Sequence, residues 1–284
     1  MKSCSSHNKY KQFYLIIIMK EIIKKGNISL LISRKQGGGL SKEVHLLKYS
    51  GKKYVLRRCK EVLKAKRYES ISKRFAKYGF LPKFLGRFEK DVLFEYIQGR
   101  ELTGKESLNT LKQIGKIAGY INKVEVKGNT SERFYNQLKE LTKTKYTSNP
   151  KKKEKEIKRV YEVLKARVKP VMALDINDCT PDNFILDKES KVYLVDIESI
   201  APRIKGFGFA KAYLKFCPTP EKQKAYLEGY NSVNSTKYLT EEYLDFIYIN
   251  FFVQRILYDV KYFNKDYKKS LKRFEDILKK YKDM

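Results

Sequence analysis

Ile176-Asn177-Asp178-Cys179-Thr180-Pro181-Asp182-Asn183-Phe184-Ile185-Leu186 and, after a short turn, Val192-Tyr193-Leu194-Val195-Asp196-Ile197-Glu198 form the most informative stretch of the chain. Short apolar runs bounded by turn residues read as strands, here 171–174, 184–186 and 192–195, with a turn over 187–190. Asp178 and Asn183 stand five apart on the Pro-containing loop, and Asp196 ends the second run. Hairpin strands in this order bring three oxygen-bearing side chains to one edge. Such a set suits a hard divalent cation and a hydroxyl nucleophile, as phosphoryl transfer requires. In that chemistry Asp178 accepts or orients the hydroxyl proton, and Asn183 and Asp196 ligate Mg²⁺. Asp-x4-Asn alone is equally a pattern of caps and turns; Asp196 thirteen residues later and the strands upstream add the weight.

Upstream, strand patterns cover 28–33, 43–49 and 52–59, the last two joined at Ser50-Gly51. Gly37-Gly38-Gly39 lies between the first two, and Ser41 follows. Glycines at a hairpin tip let backbone N–H groups approach phosphates, although three glycines are as readily an ordinary turn. In the third strand Val55 and Arg57 share a face by the period of two, one apolar contact and one fixed cation. Tyr68, Ile71, Phe75 and Tyr78 mark a helix face ending at Gly79, with Glu69 on the same helix. An Arg57–Glu69 ion pair would orient the arginine toward a nucleotide. The apolar strand 92–97 closes this lobe; backbone groups of Glu95 to Ile97 would meet an adenine edge, with Phe94 behind it, in the kind of interdomain cleft that ligands favour.

The second half reads as helical. Leu108, Leu111, Ile114, Ile117, Ala118 and Ile121 repeat at three and four. Phe134, Leu138 and Leu141 suggest another helix, and 151–168 a third. Thr240 before Glu241-Glu242 caps a long aromatic helix running to 263, and 266–282 is amphipathic and lysine-rich. The expected division is an N-terminal extension over 1–25, a nucleotide-binding lobe with hinge over 26–97, and a helical catalytic lobe over 98–284. In the extension, the seven-residue apolar run 13–19 falls far short of the roughly 20 residues that span a bilayer. It reads as a leader or an added strand, with Met19 an alternative start.

Lys and Arg total 62 against 32 acidic residues, a formal net charge of +30. An anionic partner is the first thought. The lysines, however, are spread along the chain among many Ile, Asn and Tyr, and the densest segment, 151–159, interleaves Glu154 and Glu156 on a helix. A solvated surface explains this at least as well as nucleic acid does. The charge disfavours a strongly cationic substrate unless local carboxylates make an acidic pocket; Asp175, Asp182 and Glu198 could form one, or be turn carboxylates. Four cysteines without paired short spacing point to neither a zinc ribbon nor a disulfide framework, hence to a reducing, cytoplasmic setting.

Taken in order, these segments resemble the aminoglycoside phosphotransferase and choline kinase superfamily, small-molecule relatives of the protein kinases, over about residues 26–265. Gly-Gly-Leu-Ser-Lys-Glu-Val-His is similar to its nucleotide loop, Tyr-Val-Leu-Arg to its third strand and Phe-Glu-Tyr-Ile-Gln-Gly to its hinge. Asn-Asp-Cys-Thr-Pro-Asp-Asn is similar to its catalytic loop and Val-Asp-Ile-Glu to its metal-binding strand. The resemblance implies an α+β, bilobal, protein-kinase-like fold: a small antiparallel sheet with one helix, then a mostly helical lobe. It implies ATP and Mg²⁺ as cofactors and transfer of the γ-phosphate to a small-molecule hydroxyl. Asp178 takes the catalytic base position, Asn183 and Asp196 the metal positions, Arg57 the phosphate-binding cation and Glu69 its partner. Gly38, Gly39, Ser41, Val55, Phe94, Glu95 and Ile97 line the nucleotide.

Three positions depart from the family pattern. Ile176 replaces the usual His two before the base, Arg57 replaces Lys, and the acidic residue of the helix after Asp196 is missing, with Ala210 near its place. These departures leave a second reading, a nucleotide- or nucleic-acid-binding relative without strong catalysis. A protein kinase is disfavoured, since Asp196-Ile-Glu lacks the glycine of that metal motif. Asn177 resembles the choline kinase loop, and residues 123–170 and 200–240 carry no readable acceptor code.

Overall fold

A computed structural model describes residues 27–32, 43–129, 131–144, 148–263 and 268–282. The glycine-rich turn with Gly38, Gly39 and Ser41, and the extension over 1–25, lie outside the described residues. Two compact units emerge: one takes the described residues up to Leu102 with Asp182–Glu198, the other Thr103–Pro181 with Ser199 onward. The expected boundary falls after residue 97, whereas the hairpin ending at Asp196 clusters with the first unit.

The first unit is built on a five-stranded antiparallel sheet of β1 (Asn27–Ile32), β2 (Glu43–Tyr49), β3 (Lys52–Arg58), β4 (Phe84–Phe88) and β5 (Asp91–Glu95), in the order β1-β2-β3-β5-β4. Period-two alternation in β3 sends Leu56 inward with Leu47 and Leu93, all fully or nearly fully buried, and leaves Val55 and Arg57 together on the other face. Helix α1 (Val62–Phe75) packs against β4 and β5 through Ala65, Tyr68, Ile71, Ser72 and Phe75, the i, i+3, i+4 stripe of an amphipathic helix. A 3₁₀ turn and Gly79 at φ 65° end it, as its sequence predicts. A second sheet joins β6 (Gly99–Glu101), β8 (Phe184–Asp187) and β9 (Val192–Leu194) in the order β6-β8-β9.

The second unit contains α2 (Leu108–Asn122), α3 (Glu132–Thr142), α4 (Pro150–Val168), α5 (Phe207–Lys215), α6 (Pro220–Asn231), α7 (Glu241–Tyr258) and α8 (Lys268–Lys280), with a two-stranded sheet of β7 (Met172–Ile176) and β10 (Ile200–Ile204). Ser107, Asn149, Thr219 and Thr240 cap α2, α4, α6 and α7 by accepting from a backbone N–H three residues on. Helix α7 is apolar nearly all round and is the centre of the core, where Phe246 meets Tyr161, which in turn stacks on Phe134 at 3.7 Å. Such rings bury large areas, so this cluster supplies much of the unit's hydrophobic stabilisation. Among the described residues no helix is long and apolar enough to cross a membrane, and Cys59, Cys179 and Cys217 are buried free thiols. The fold class is the expected one, a small antiparallel sheet with one helix followed by a mostly helical unit.

Candidate active site

In the first unit the chemistry gathers around Arg57. Its Nη1 donates to the Tyr68 hydroxyl at 3.1 Å and lies 3.5 Å from Asp196 Oδ1, while Nη2 donates to the Val195 carbonyl at 2.9 Å. Tyr68 donates onward to Glu198 Oε2 at 3.1 Å, and Lys64 pairs with Glu198 Oε1 at 2.7 Å. Burial opposes the Arg57 charge, but Tyr68, Asp196 and Glu198 outweigh it and hold the guanidinium above its ordinary value. The Tyr68 phenol is pushed up chiefly by its own burial and stays a neutral donor. Asn183 adjoins this cluster, because Val195 N–H donates to the Asn183 carbonyl at 2.9 Å. The metal-candidate residues Asn183 and Asp196 are thereby held on neighbouring backbone of one hairpin, Asn183 buried and Asp196 partly open.

The expected Arg57–Glu69 pair does not form. Glu69 accepts from Lys73 and, at 2.7 Å, from Arg87 of β4. Burial works against its charge, and those two cations bring its pKa below the usual carboxylate range. Helix phase is the reason: Tyr68 lies on the buried stripe, and Glu69, about 100° further round at 3.6 residues per turn, faces β4 instead. Lys64, Tyr68 and Glu198 escaped the sequence reading as a set; the buried stripe of α1 marked Tyr68 only as packing.

Phe94 is buried and meets Tyr68 and Phe84 edge-on, with centroids at 6.2 and 6.0 Å, and it pairs in register with Val55. Strand pairing ends at Glu95; Tyr96 and Ile97 follow half-buried outside any ladder. These positions leave backbone groups after β5 where the resemblance puts its hinge.

In the second unit, β7 carries the chain into the loop that holds Asp178. Ile176, where the family pattern has His, is fully buried and pairs with Ile200 of β10. An apolar contact therefore anchors the loop where the family pattern has a polar one. Asp178 is ion-paired with Lys211 of α5 and remains half open. Asn177 Oδ1 accepts from Arg203 Nε at 2.7 Å. Asp175 is 1% exposed, its Oδ1 accepting from Ile176 N–H at 2.6 Å and its Oδ2 without a hydrogen-bond partner. Burial pushes its pKa up to about 6, against the pull of nearby amide donors from Asn122, Gly208, Ile176 and Gly206. The suggested acidic acceptor patch is thus corrected: Asp175 is sealed in the core of one unit, and Glu198 is engaged by Lys64 and Tyr68 in the other.

Among the described residues no group of three His, Cys, Asp or Glu side chains could hold a metal ion. Mg²⁺ asks for less, commonly one or two protein oxygen ligands with phosphates and waters completing an octahedron. Asn183 and Asp196 fit that donor set.

A small sheet with one helix, a mostly helical unit, and a β7–loop–β8–β9 passage carrying Asp178, Asn183 and Asp196 in order define a kinase-like small-molecule phosphotransferase fold. The sequence model of choline/ethanolamine kinases matches residues 37–274, and the chain belongs to that family. No curated protein matches it by sequence. The choline kinase of Streptococcus pneumoniae superposes with a TM-score of 0.63 at 16% identity, covering 95% of this chain and 100% of that one. An ethanolamine kinase of Plasmodium vivax gives 0.62 at 12% identity, over 97% and 90%. A spectinomycin phosphotransferase holding ADP and spectinomycin gives 0.54 at 14% identity, over 93% and 96%. At such identities the likeness is one of fold.

Proposed function

We propose that the protein is an ATP- and Mg²⁺-dependent kinase that transfers the γ-phosphate to the hydroxyl of a small metabolite. The observation that carries this reading is the Arg57 cluster, which ties β3 to Asp196 at 3.5 Å while Val195 holds Asn183. A cation, a carboxylate and an amide so fixed are the parts needed to bind a nucleotide's phosphates together with a divalent ion. Membership of a family of small-molecule kinases, and structural neighbours described with AMP or ADP bound, support the nucleotide.

In this reading Arg57 binds phosphate oxygens, kept charged by Tyr68, Asp196 and Glu198, and Asn183 and Asp196 hold Mg²⁺. The ion, when bound, neutralises charge on the phosphates. Asp178 orients the acceptor hydroxyl and takes its proton as the acceptor oxygen–phosphorus bond forms and the bond to the β,γ-bridging oxygen breaks, releasing ADP. Phe94 and the backbone of Glu95 to Ile97 serve the adenine. The buried free thiols suit a reducing, cytoplasmic compartment.

Replacing Asp178 with Asn tests the assignment. ADP release in the presence of acceptor should fall by about 10²–10⁴-fold, the usual worth of a positioned base, while nucleotide affinity by calorimetry stays unchanged. Undiminished turnover would refute it. Nucleotide uptake without turnover against any acceptor in wild type would leave a binding protein instead.

A further inference from the structure

Helix α1 grips Glu198, in the turn that follows β9, at two points. Lys64 Nζ pairs with Glu198 Oε1 at 2.7 Å, and the Tyr68 hydroxyl donates to Glu198 Oε2 at 3.1 Å. Lys64 and Tyr68 are four apart and share a helix face, so each takes one oxygen of the carboxylate. The same Tyr68 hydroxyl accepts from Arg57 Nη1 at 3.1 Å. One phenol thus spends its proton on the carboxylate and a lone pair on the guanidinium, which satisfies it in both senses.

Tyr68 is 3% exposed, its ring edge-on to Phe94 at 6.2 Å and 5.5 Å from the Arg57 guanidinium carbon. Close packing holds the ring, and with it the hydroxyl, in one place. The charges around it cancel, Arg57 and Lys64 against Asp196 and Glu198. Among the described residues α1 offers Arg57 no carboxylate, since Glu69 is turned to Lys73 and Arg87. A carboxylate at position 68 would stand against Glu198 with like charge and leave the patch net negative where polyphosphate has to bind. An arginine keeps its proton under all ordinary conditions. What it needs from a partner is direction, and a neutral hydroxyl supplies that without cancelling its charge.

We infer that Tyr68 is the positioning residue of the phosphate-binding cation: its neutral hydroxyl passes the hold of Lys64 and Glu198 on to Arg57, so the seating of α1 sets nucleotide affinity. The inference deepens the kinase reading and rests on it for the role of Arg57. The chain Lys64–Glu198–Tyr68–Arg57 itself stands on geometry.

Calorimetry with MgATP, paired with ADP release, tests it. Tyr68→Phe keeps the ring and removes only the hydroxyl. Nucleotide affinity should weaken about 10-fold, and the KM for ATP should rise with it while kcat stays within about threefold. In an Arg57→Gln background the same change should cost less than about twofold, because members of one hydrogen-bonded chain are not additive. Tyr68→Glu should bind more weakly than Tyr68→Phe although it offers Arg57 an ion pair, and adding Glu198→Gln should recover part of the loss. Affinity unchanged in Tyr68→Phe, an equal loss with and without Arg57, or tighter binding in Tyr68→Glu would overturn the inference and leave the kinase standing. A loss that depends on Arg57, with no turnover of any acceptor by wild type, would sustain the positioning role and sink the kinase.

Discussion

Asp175 and Gly208 are packed so closely that a Cβ on Gly208 would stand 2.7 Å from Asp175 Oδ1 and 3.0 Å from the Ile176 carbonyl. The carboxylate and backbone that begin the Asp178 loop thus rest directly on the first turn of α5. The carboxyl group stands on the strand, and Gly208 leaves room for it on the helix.

Gly208→Ala should therefore destabilise the protein although alanine is the better helix former by about 1 kcal/mol. Overpacking of this kind costs about 1–3 kcal/mol, and neither the buried carboxylate nor the strand carbonyl can retreat cheaply. Thermal unfolding should shift down by about 2–4 °C per kcal/mol. A variant melting higher than wild type would show that the contact relaxes freely.

The Asp175 carboxyl predicts a pH dependence of unusual sign for an acid. Its ordinary value is 3.8 and burial raises it to about 6, so between those values the folded chain holds a proton that the unfolded chain has released. Its contribution to stability falls as pH rises from about 4 to about 6 and is flat above, amounting to ~3 kcal/mol at most over that 2.2-unit interval. Asp175→Asn removes the dependence: the melting temperature of the variant should gain on wild type across that window. Parallel curves would show that the carboxyl ionises in the fold as it does in water.

Much of this was legible in the sequence, and what was not has identifiable causes. The runs 43–49 and 108–121 gave β2 and α2, and Thr240 gave the cap of α7, because periodicity and capping are local. Strand β6 has three exposed residues and no alternation, β10 contains Pro202, and α5 opens on glycine and phenylalanine, so none carries a local signal. At the candidate site Arg57 was visible from strand parity, but its partner was misassigned by one residue, a step of about 100° on a helix. Lys211 and Arg203 have no spacing that marks them; only packing sets them beside Asp178 and Asn177.

The corrected pairing makes a sharp contrast between substitutions at Arg57 of β3 and Glu69 of α1. Arg57→Gln strips the charged contacts to Asp196, Tyr68 and Val195 and leaves part-buried acceptors unmatched, so nucleotide affinity should fall about 10- to 100-fold. Glu69→Gln touches only Lys73 and Arg87 and should leave it within about twofold. Equal losses in the two variants would restore the Arg57–Glu69 pairing that the structure lacks.

Lys211 offers the last test, because it decides whether the ion pair on Asp178 serves the reaction or merely the fold. A bare carboxylate repels the incoming phosphates, and a cation at contact distance removes most of that repulsion; unit charges 4 Å apart interact by about 4 kcal/mol at an effective dielectric of 20, less here because both groups are partly open. Lys211→Met should lower kcat about 10- to 100-fold with little change in nucleotide KM or melting temperature, and Lys211→Arg should retain most of the rate. A faster Lys211→Met enzyme would mean that the lysine restrains the base. A variant that loses melting temperature and rate together, unrescued by arginine, would reduce the pair to a structural strut.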